Sequence, residues 1–489
     1  MTGQHKRRLW ACNMLIASSL VLAGCDTSEP YSSPTFPFLD SFRGAPGAAP
    51  VLLDNARWWT RLEDPVLHQL IMLSLTDNLD LAGAQERVIQ ARAERDSIPG
   101  GSLVTPRADG RLEGSVGEGY TSSASTELGF DWILDPYGAR RDGIRAATGR
   151  IDIAETEVDA ARLLLLLNVA NAYVQLRHDQ HALALSRREL SNRRATLAQL
   201  RREAAAEEAT RLDVTRSEAR VAELRSRMPG EEAAVNAGLN ELAVLAGRQP
   251  GTLPDPLASQ LAATAAQPVP GLPPDVGIPA DLLRNRPDIR IAERRYYVAV
   301  AEIGPTRANL YPRLSLSGVI TLNLLGGGVD TEYYFGPAIQ FPALPMQAGQ
   351  AAVEARHAQA RDAHLAWKST VLSAILEVEN ALIDYNATST AIGSAREAQR
   401  LYREALSLTR NIFENEEATL SDVIAAEADL AAAERNLAAL RLRQSQSFIA
   451  LNVRLGAGHE AGVPTGGGTG LIATAANATE SSETAPNTN

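Results

Sequence analysis

The chain is written twice. Glu207-Glu208-Ala209-Thr210 is followed by Asp213-Val214, Glu218-Ala219 and Ala222. The same residue types recur 209 positions later as Glu416-Glu417-Ala418-Thr419, Asp422-Val423, Glu427-Ala428 and Ala431. That offset also relates Leu242 to Leu451 and Gly247 to Gly456. An offset of 208 relates Asp80, Ala84, Arg87, Ala91, Ala93 and Glu94 to Asp288, Ala292, Arg295, Ala299, Ala301 and Glu302. One such block is within the general likeness of helices, but two at nearly one offset indicate duplication. Any fold must therefore use one plan two times.

The plan is mostly helical. Proline is absent for 92 residues between Pro136 and Pro229 and for 118 residues between Pro345 and Pro464. A proline inside a helix costs about 3 kcal/mol, so these gaps permit very long helices. At 1.5 Å per residue, a helix of roughly 65 residues reaches about 100 Å. That is several times the ~30 Å hydrocarbon layer of a membrane, so such helices project away from any bilayer. The expected organisation is a first repeat over 65–249, a proline-rich extended connector over 250–287, a second repeat over 288–460 and a disordered tail over 461–489. Each repeat opens with a leading helix, about Pro65–Asp96 and Asp288–Ala308, and follows it with two strands and long helical sequence.

The amino terminus gives the compartment. Lys6, Arg7 and Arg8 precede the apolar run Leu9 to Leu22, and Ala23-Gly24 lead to Cys25. This is the layout of a secretory signal over 1–24, too short for a stable span. Leu22-Ala23-Gly24-Cys25 resembles the bacterial lipobox, in which the cysteine is acylated and starts the mature chain, here with an extended segment over 25–64. Cys12 falls in the signal, so no thiol remains for a disulfide or a metal. No later stretch reaches ~18 apolar residues, so any membrane crossing must use strands. A net charge of −11 argues against nucleic acid, whose phosphates need a basic face.

Strand signals appear in both halves. Leu128, Phe130, Trp132 and Leu134 alternate with Glu127, Gly129, Asp131 and Ile133. Leu314, Leu316 and Ile320 share one parity, as do Tyr333, Phe335, Ile339 and Phe341. A weaker, glycine-rich alternation runs from Pro106 to Tyr120. One apolar and one polar face suit the wall of a barrel, with the residues just named facing lipid and the aromatics near its interface. Gly326-Gly327-Gly328 reads as a hairpin turn. Four strands leave open edges, which lipid does not tolerate, and the smallest closed barrels have about 8 strands. The chain must then oligomerise. Three copies supply twelve strands, although composition does not choose three over two or four.

Several segments together resemble the TolC-like outer-membrane efflux factors, in the lipoprotein branch that works with resistance–nodulation–division pumps. They are Trp58-Trp59 with Asp64-Pro65, Asn78-Leu79-Asp80-Leu81, and Asp131 through Gly138. The more specific ones are Arg286-Pro287-Asp288-Ile289, Ala292-Glu293, Ile303-Gly304 through Tyr311-Pro312, Glu377 through Leu382, and Leu455-Gly456. The likeness covers about residues 50–460. It implies an α+β membrane protein: a homotrimer with a shared 12-stranded barrel over an α-helical periplasmic tunnel closed by a helical iris. It also implies a passive conduit, fed by an inner-membrane proton-driven pump through a periplasmic adaptor. Two positions depart from the pattern. Glu207 and Glu416 stand where the family's hairpin tips carry glycine, and Asp26 follows the lipidated cysteine.

The tips hold the candidate functional carboxylates: Glu207, Glu208 and Asp213 at one, Glu414, Glu416, Glu417 and Asp422 at the other. Facing a lumen, they would form an acidic ring that favours cations and helps keep the iris shut. As helix caps, Asp213 and Asp422 would serve with Thr210 and Thr419. Metal and enzyme readings are poorly supported. His178 and His181, and His357 and His364, lack a third ligand or a His-Glu-x-x-His pattern, so the expectation is no metal and no cofactor beyond the lipid on Cys25. Arg286-Pro287-Asp288 reads as a helix start. The competing reading is a periplasmic adaptor lipoprotein with one coiled-coil hairpin.

Overall fold

The computed structural model describes residues 27–458, apart from 50–56, 99–102, 117–119, 208, 272–273, 326–327 and 416–417. Cys25, Glu208, Glu416, Glu417, the signal segment and the expected tail thus lie outside the described residues. A 3-10 turn at Trp58–Leu62 leads into α1 (Pro65–Asp77), α2 (Leu79–Asp96), β1 (Leu103–Val116), β2 (Tyr120–Ile133), α3 (Ala139–Ala205) and α4 (Arg211–Leu245). The connector holds α5 (Leu257–Ala262) and α6 (Leu282–Asn285). The second half then gives α7 (Pro287–Ala301), α8 (Ile303–Ala308), β3 (Arg313–Leu325), β4 (Gly328–Gln340), α9 (Gln347–Glu414) and α10 (Leu420–Arg454).

Local chemistry explains the starts and stops. The Asp64 carboxylate accepts from the N–H groups of Val66 and Leu67 and caps α1, with Pro65 in its first turn. Asn78 ends α1 and caps α2 through the N–H of Leu81, so the leading helix expected in one piece is two. Its counterpart also breaks, at Glu302 between α7 and α8. The connector expected to be extended carries helical turns. Tyr120 belongs to β2 and not to the first strand, and Pro229 lies inside α4 without ending it.

The duplication recurs in three dimensions. Gly247 and Gly456 both adopt left-handed φ, at 67° and 82°, and a Cβ on either would lie within 2.1 Å of a carbonyl oxygen, that of Asp77 or Asn285. Only glycine fits that approach. Across the same junctions, Asn78 donates to the Leu245 carbonyl at 3.0 Å and Arg286 to the Arg454 carbonyl at 2.9 Å. Both repeats therefore close on themselves by one device.

The main core lies where α1, α3, α9 and α10 meet, with Leu67, Tyr173, Trp367 and Phe448 almost fully buried. Arg177 is buried there too. Its guanidinium donates to the carbonyls of Gln260 and Ala263 and to the Tyr173 hydroxyl, whose own proton goes to Asp64 at 2.6 Å. Each charge is thus satisfied, the condition for burying an arginine. This arrangement fastens the C-terminal end of α5 to α3. Burial, then the Asp64 hydrogen bond, raise the Tyr173 pKa well above the ordinary tyrosine value.

Candidate functional site

The strands form one antiparallel sheet in the order β1-β2-β3-β4. Leu128 pairs with Ile320 and Ile320 with Tyr333; Trp132 pairs with Leu316, Leu314 with Ile339, and Gly318 lies between Phe130 and Phe335. Directly paired residues share a face, so all of these lie on the same side. Leu134 extends the ladder by donating to the Leu314 carbonyl at 2.9 Å, and Phe341 follows the last residue of β4. Tyr333, Phe335 and Ile339 are 81%, 66% and 58% exposed, so a single copy leaves this apolar face open.

The opposite face is polar. One row across the sheet reads Asp109, Glu127, Thr321, Glu332, and the next Arg111, Ser125, Asn323, Asp330. Asp131 and Arg313 join the same side. Among the described strand side chains, every charge is on that face. This is the wall of a water-filled barrel, apolar outside and polar within. The strands are 13–14 residues long, beyond the roughly 9–11 that a tilted crossing needs.

The same order governs the helices. α3 packs on α4 and on α10, and α10 packs on α9, so the long helices lie in the order α4-α3-α10-α9. α3 and α9, with 67 and 68 residues, each run about 100 Å. Sheet and helices are therefore both open arcs, with the first repeat at one edge and the second at the other.

At the far end the chain turns twice. Thr210 and Asp213 form a reciprocal capping box at the start of α4, and Thr419 and Asp422 form its copy at the start of α10. The Thr419 hydroxyl, then its backbone N–H, hold the Asp422 carboxyl below the usual aspartate range. Glu207 has φ 63°, the left-handed conformation that the missing glycine would adopt freely. Of the seven tip carboxylates, Asp213 and Asp422 are engaged as caps, Glu207 and Glu414 are exposed, and the other three lie outside the described residues. A cavity of about 400 Å³ opens between the two tips. Arg193, Arg216 and Arg220 line it beside Asp213, so the surroundings are mixed in charge and not purely acidic.

Sequence reasoning missed a buried hub above the tips. The Arg193 side chain is 7% exposed and reaches the Ile424 carbonyl at 3.4 Å and the carboxylates of Glu189 and Glu427 at 3.9 Å. Arg435 pairs with Glu189 at 2.7 Å and Arg410 with Glu427 at 2.8 Å. Charges from α3, α9 and α10 thus tie the first hairpin to the second. No local signal marks Arg193, because its partners on α10 are more than 200 residues away. The histidines have packing partners. His178 meets Gln267 at 3.1 Å, His357 meets Arg307 at 3.2 Å, and His364 stacks on Trp367.

A duplicated chain with two-faced strands and helices far longer than a bilayer is thick is a share of an outer-membrane channel. The comparisons place it. The family model described as "Outer membrane efflux protein" matches residues 70–248 and 278–457, once for each repeat, and the chain belongs to that family. It is 30% identical over 459 residues to Nodulation protein T of Rhizobium leguminosarum bv. trifolii, covering 90% of this chain and 96% of that one. It is 27% identical to the toluene efflux pump outer membrane protein TtgC of Pseudomonas putida, over 83% of this chain and 91% of the relative. Among solved structures, the outer-membrane channel OprN superposes with a TM-score of 0.78 at 26% identity, covering 88% of this chain and 99% of that one. The protein is an outer-membrane efflux channel that extends into the periplasm, and not an adaptor.

Proposed function

We propose that three copies of this chain close into a pore that passively carries small toxic compounds outward, delivered by an inner-membrane pump through a periplasmic adaptor. The observation that carries this reading is the match between the two open edges. α9 exposes Leu365, Leu372, Leu376, Ile383, Leu401, Leu408 and Ile412, a stripe at spacings of seven and four broken by one gap of eighteen that returns to the same face. α4 exposes small residues at helical spacing, Ala219, Ala222, Ser226, Gly230, Ala233 and Ala237. Large knobs on one edge fit a small-residue groove on the other, so α9 of one copy meets α4 of the next. β4 then meets β1, which pairs the open strand edges that lipid forbids. Three copies close twelve strands with the Leu128–Tyr333 face to lipid and the acidic rows to the lumen.

Cys25 carries the lipid in this reading, and the tip carboxylates Glu207, Glu208, Glu414, Glu416 and Glu417 bias passage towards cations. The Arg193 hub holds the hairpins together until the adaptor engages the tips. The toluene pump relative points to apolar or amphiphilic cargo. Mass measurement on the detergent-extracted protein should give a trimer, and a monomer would end the proposal. Deleting the gene and screening toxic compounds should show lost resistance to some of them. Recordings in planar bilayers of a Glu207→Gln/Glu416→Gln variant should show weaker cation preference, and an unchanged preference would remove the acidic ring.

A further inference from the structure

The cavity between the tips is lined by arginines that the duplication does not account for. An offset of 209 carries the Thr–Asp caps and Glu218 onto their copies, but it carries Arg216 to Ala425 and Arg220 to Asp429. These two arginines therefore belong to the first repeat alone. Around them, residues 187–227 hold eleven arginines against seven carboxylates, in a chain whose net charge is −11. The end of the first hairpin is a positive island on an acidic protein. Arg216 and Arg220 also stand one turn apart on α4, a spacing at which like charges repel. Among the described residues neither has a hydrogen-bond or ion-pair partner.

Geometry turns that surplus into the cavity. Each helical residue turns by about 100°, so both arginines fall between the buried side of α4, at Ser217 and Val221, and its small-residue edge, at Ala219 and Ala222. They line the cavity together with Arg193, which is almost fully buried on α3. The carboxylates in the same wall are already engaged: Asp213 accepts from the Thr210 hydroxyl at 2.6 Å and Glu203 from Gln199 at 2.9 Å. The second hairpin supplies Phe413, Leu420 and Ile424, and α3 adds Leu200. The volume, about 400 Å³, lies within the range of small-molecule sites, roughly 300–1,000 Å³. Unpartnered guanidinium groups recognise carboxylate, sulfonate or phosphate through forked N–H donors, and the aromatic and aliphatic wall takes a hydrocarbon body.

We infer that this cavity binds a small amphiphilic anion, with Arg216 and Arg220 on its charged end and Phe413, Leu420 and Ile424 on its apolar body. The contacts come from both hairpins, so a bound molecule holds the two tips in this arrangement, as any ligand stabilises the state that it fits. The consequence for the pore rests on the trimeric reading above. The site does not, because its whole wall belongs to one copy. The test uses the full detergent-extracted protein with 2-naphthalenesulfonate as the probe and 2-naphthalenemethanol as its uncharged counterpart. In equilibrium dialysis the sulfonate should bind the more tightly, and it should slow hydrogen exchange over both 213–220 and 420–424. Arg216→Gln/Arg220→Gln, at two exposed positions, should weaken its binding about tenfold. Arg225→Gln/Arg227→Gln removes the same charge outside the cavity and should leave binding unchanged. Arg216→Lys/Arg220→Lys keeps the charge but loses the forked donors, and should fall between the two. Equal losses in the two glutamine variants would reveal general charge attraction and overturn the site. So would equal binding of the alcohol, or protection confined to one hairpin. The mass of the extracted protein reports the trimer separately, so a failure of the pore reading is distinguishable from a failure of the site.

Discussion

In the first hairpin the returning helix α4 rests on α3, whereas in the second the returning helix α10 is held between α9 and α3. The two helices have the same length, 35 residues, and the same Thr–Asp capping box. Their interiors differ as their positions do. α10 buries Phe448, Ile449 and Leu451 among others, while α4 keeps a sparse buried set and carries Pro229-Gly230 in its middle. A proline there removes a helix hydrogen bond, which a helix packed on one side only within its own chain absorbs more easily than one enclosed on two sides. Duplication supplied two equal hairpins, and topology made one central and the other an edge. Edges are where a copy meets its neighbour.

The largest effect should therefore come from charging an edge. Replacing Leu372 and Leu376 by glutamate puts carboxylates into the α9 stripe without touching the buried side of that helix. Burying two leucines contributes about 3–6 kcal/mol per interface, and the substitution forfeits it while adding desolvation. Detergent-extracted protein should shift from trimer to monomer, with near-normal helix content by circular dichroism. A matching pair of charges on exposed α10 positions should leave the trimer intact. If both pairs act alike, the distinction between edge and centre fails.

A centre substitution should act differently. Arg193→Met removes the charge that joins the hairpins, yet Glu189 and Glu427 keep Arg435 and Arg410 as partners. Removing one member of a fully isolated buried pair costs about 3–5 kcal/mol, so the shared partners here reduce it to about 1–3 kcal/mol. The trimer should persist while its resting conductance in planar bilayers rises several-fold. An unchanged conductance would show that the hub only supports packing.

How far these features were legible depends on the range of the interactions behind them. The repeat, the period-two strands, the proline-free helices and both capping boxes are sequence patterns, and each appears where the sequence places it apart from Tyr120, which opens β2. The faces of the sheet were legible as well, because parity alone assigns Leu128, Ile320 and Tyr333 to one side. Arg193, Arg177 and Asp142 were not. Each is a charged residue on a helix, which by pattern belongs in water, and each is buried through partners that the fold brings from another repeat or the connector. At the tips the described carboxylates divide: Asp213 and Asp422 spend their oxygens on caps, Glu207 and Glu414 are exposed, and arginines share the space.

The tips offer a finer contrast. Glu207 holds a left-handed φ of 63° that costs a side-chain-bearing residue roughly 1 kcal/mol, partly offset by the flexibility glycine brings to the unfolded chain. Glu207→Gly should stabilise the first tip by about 0.5 kcal/mol, read as slower hydrogen exchange in the last turn of α3 and the first of α4. Faster exchange would mean that the glutamate makes up for its strain by a contact.

The smallest effect belongs to the caps. Thr210→Ala and Thr419→Ala each remove a cap contributing about 1 kcal/mol, but only locally. Within one chain α4 packs on one neighbour and α10 on two, so the first turn of α4 should fray more for the same substitution. Acid gives a second handle on α10. A carboxyl whose folded pKa is depressed adds stability above its unfolded value, near 3.9, and loses it as the pH falls through the folded value. Because Thr419 depresses the Asp422 pKa, the first turn of α10 should keep its protection at pH 5 and lose it only below about 4. In Thr419→Ala the larger cause of the depression goes with the hydroxyl while the backbone N–H remains, so the depression shrinks and protection should fall at a higher pH than in the unaltered chain. If the two chains lose protection at the same pH, the capping hydrogen bond is not what sets the ionisation of Asp422.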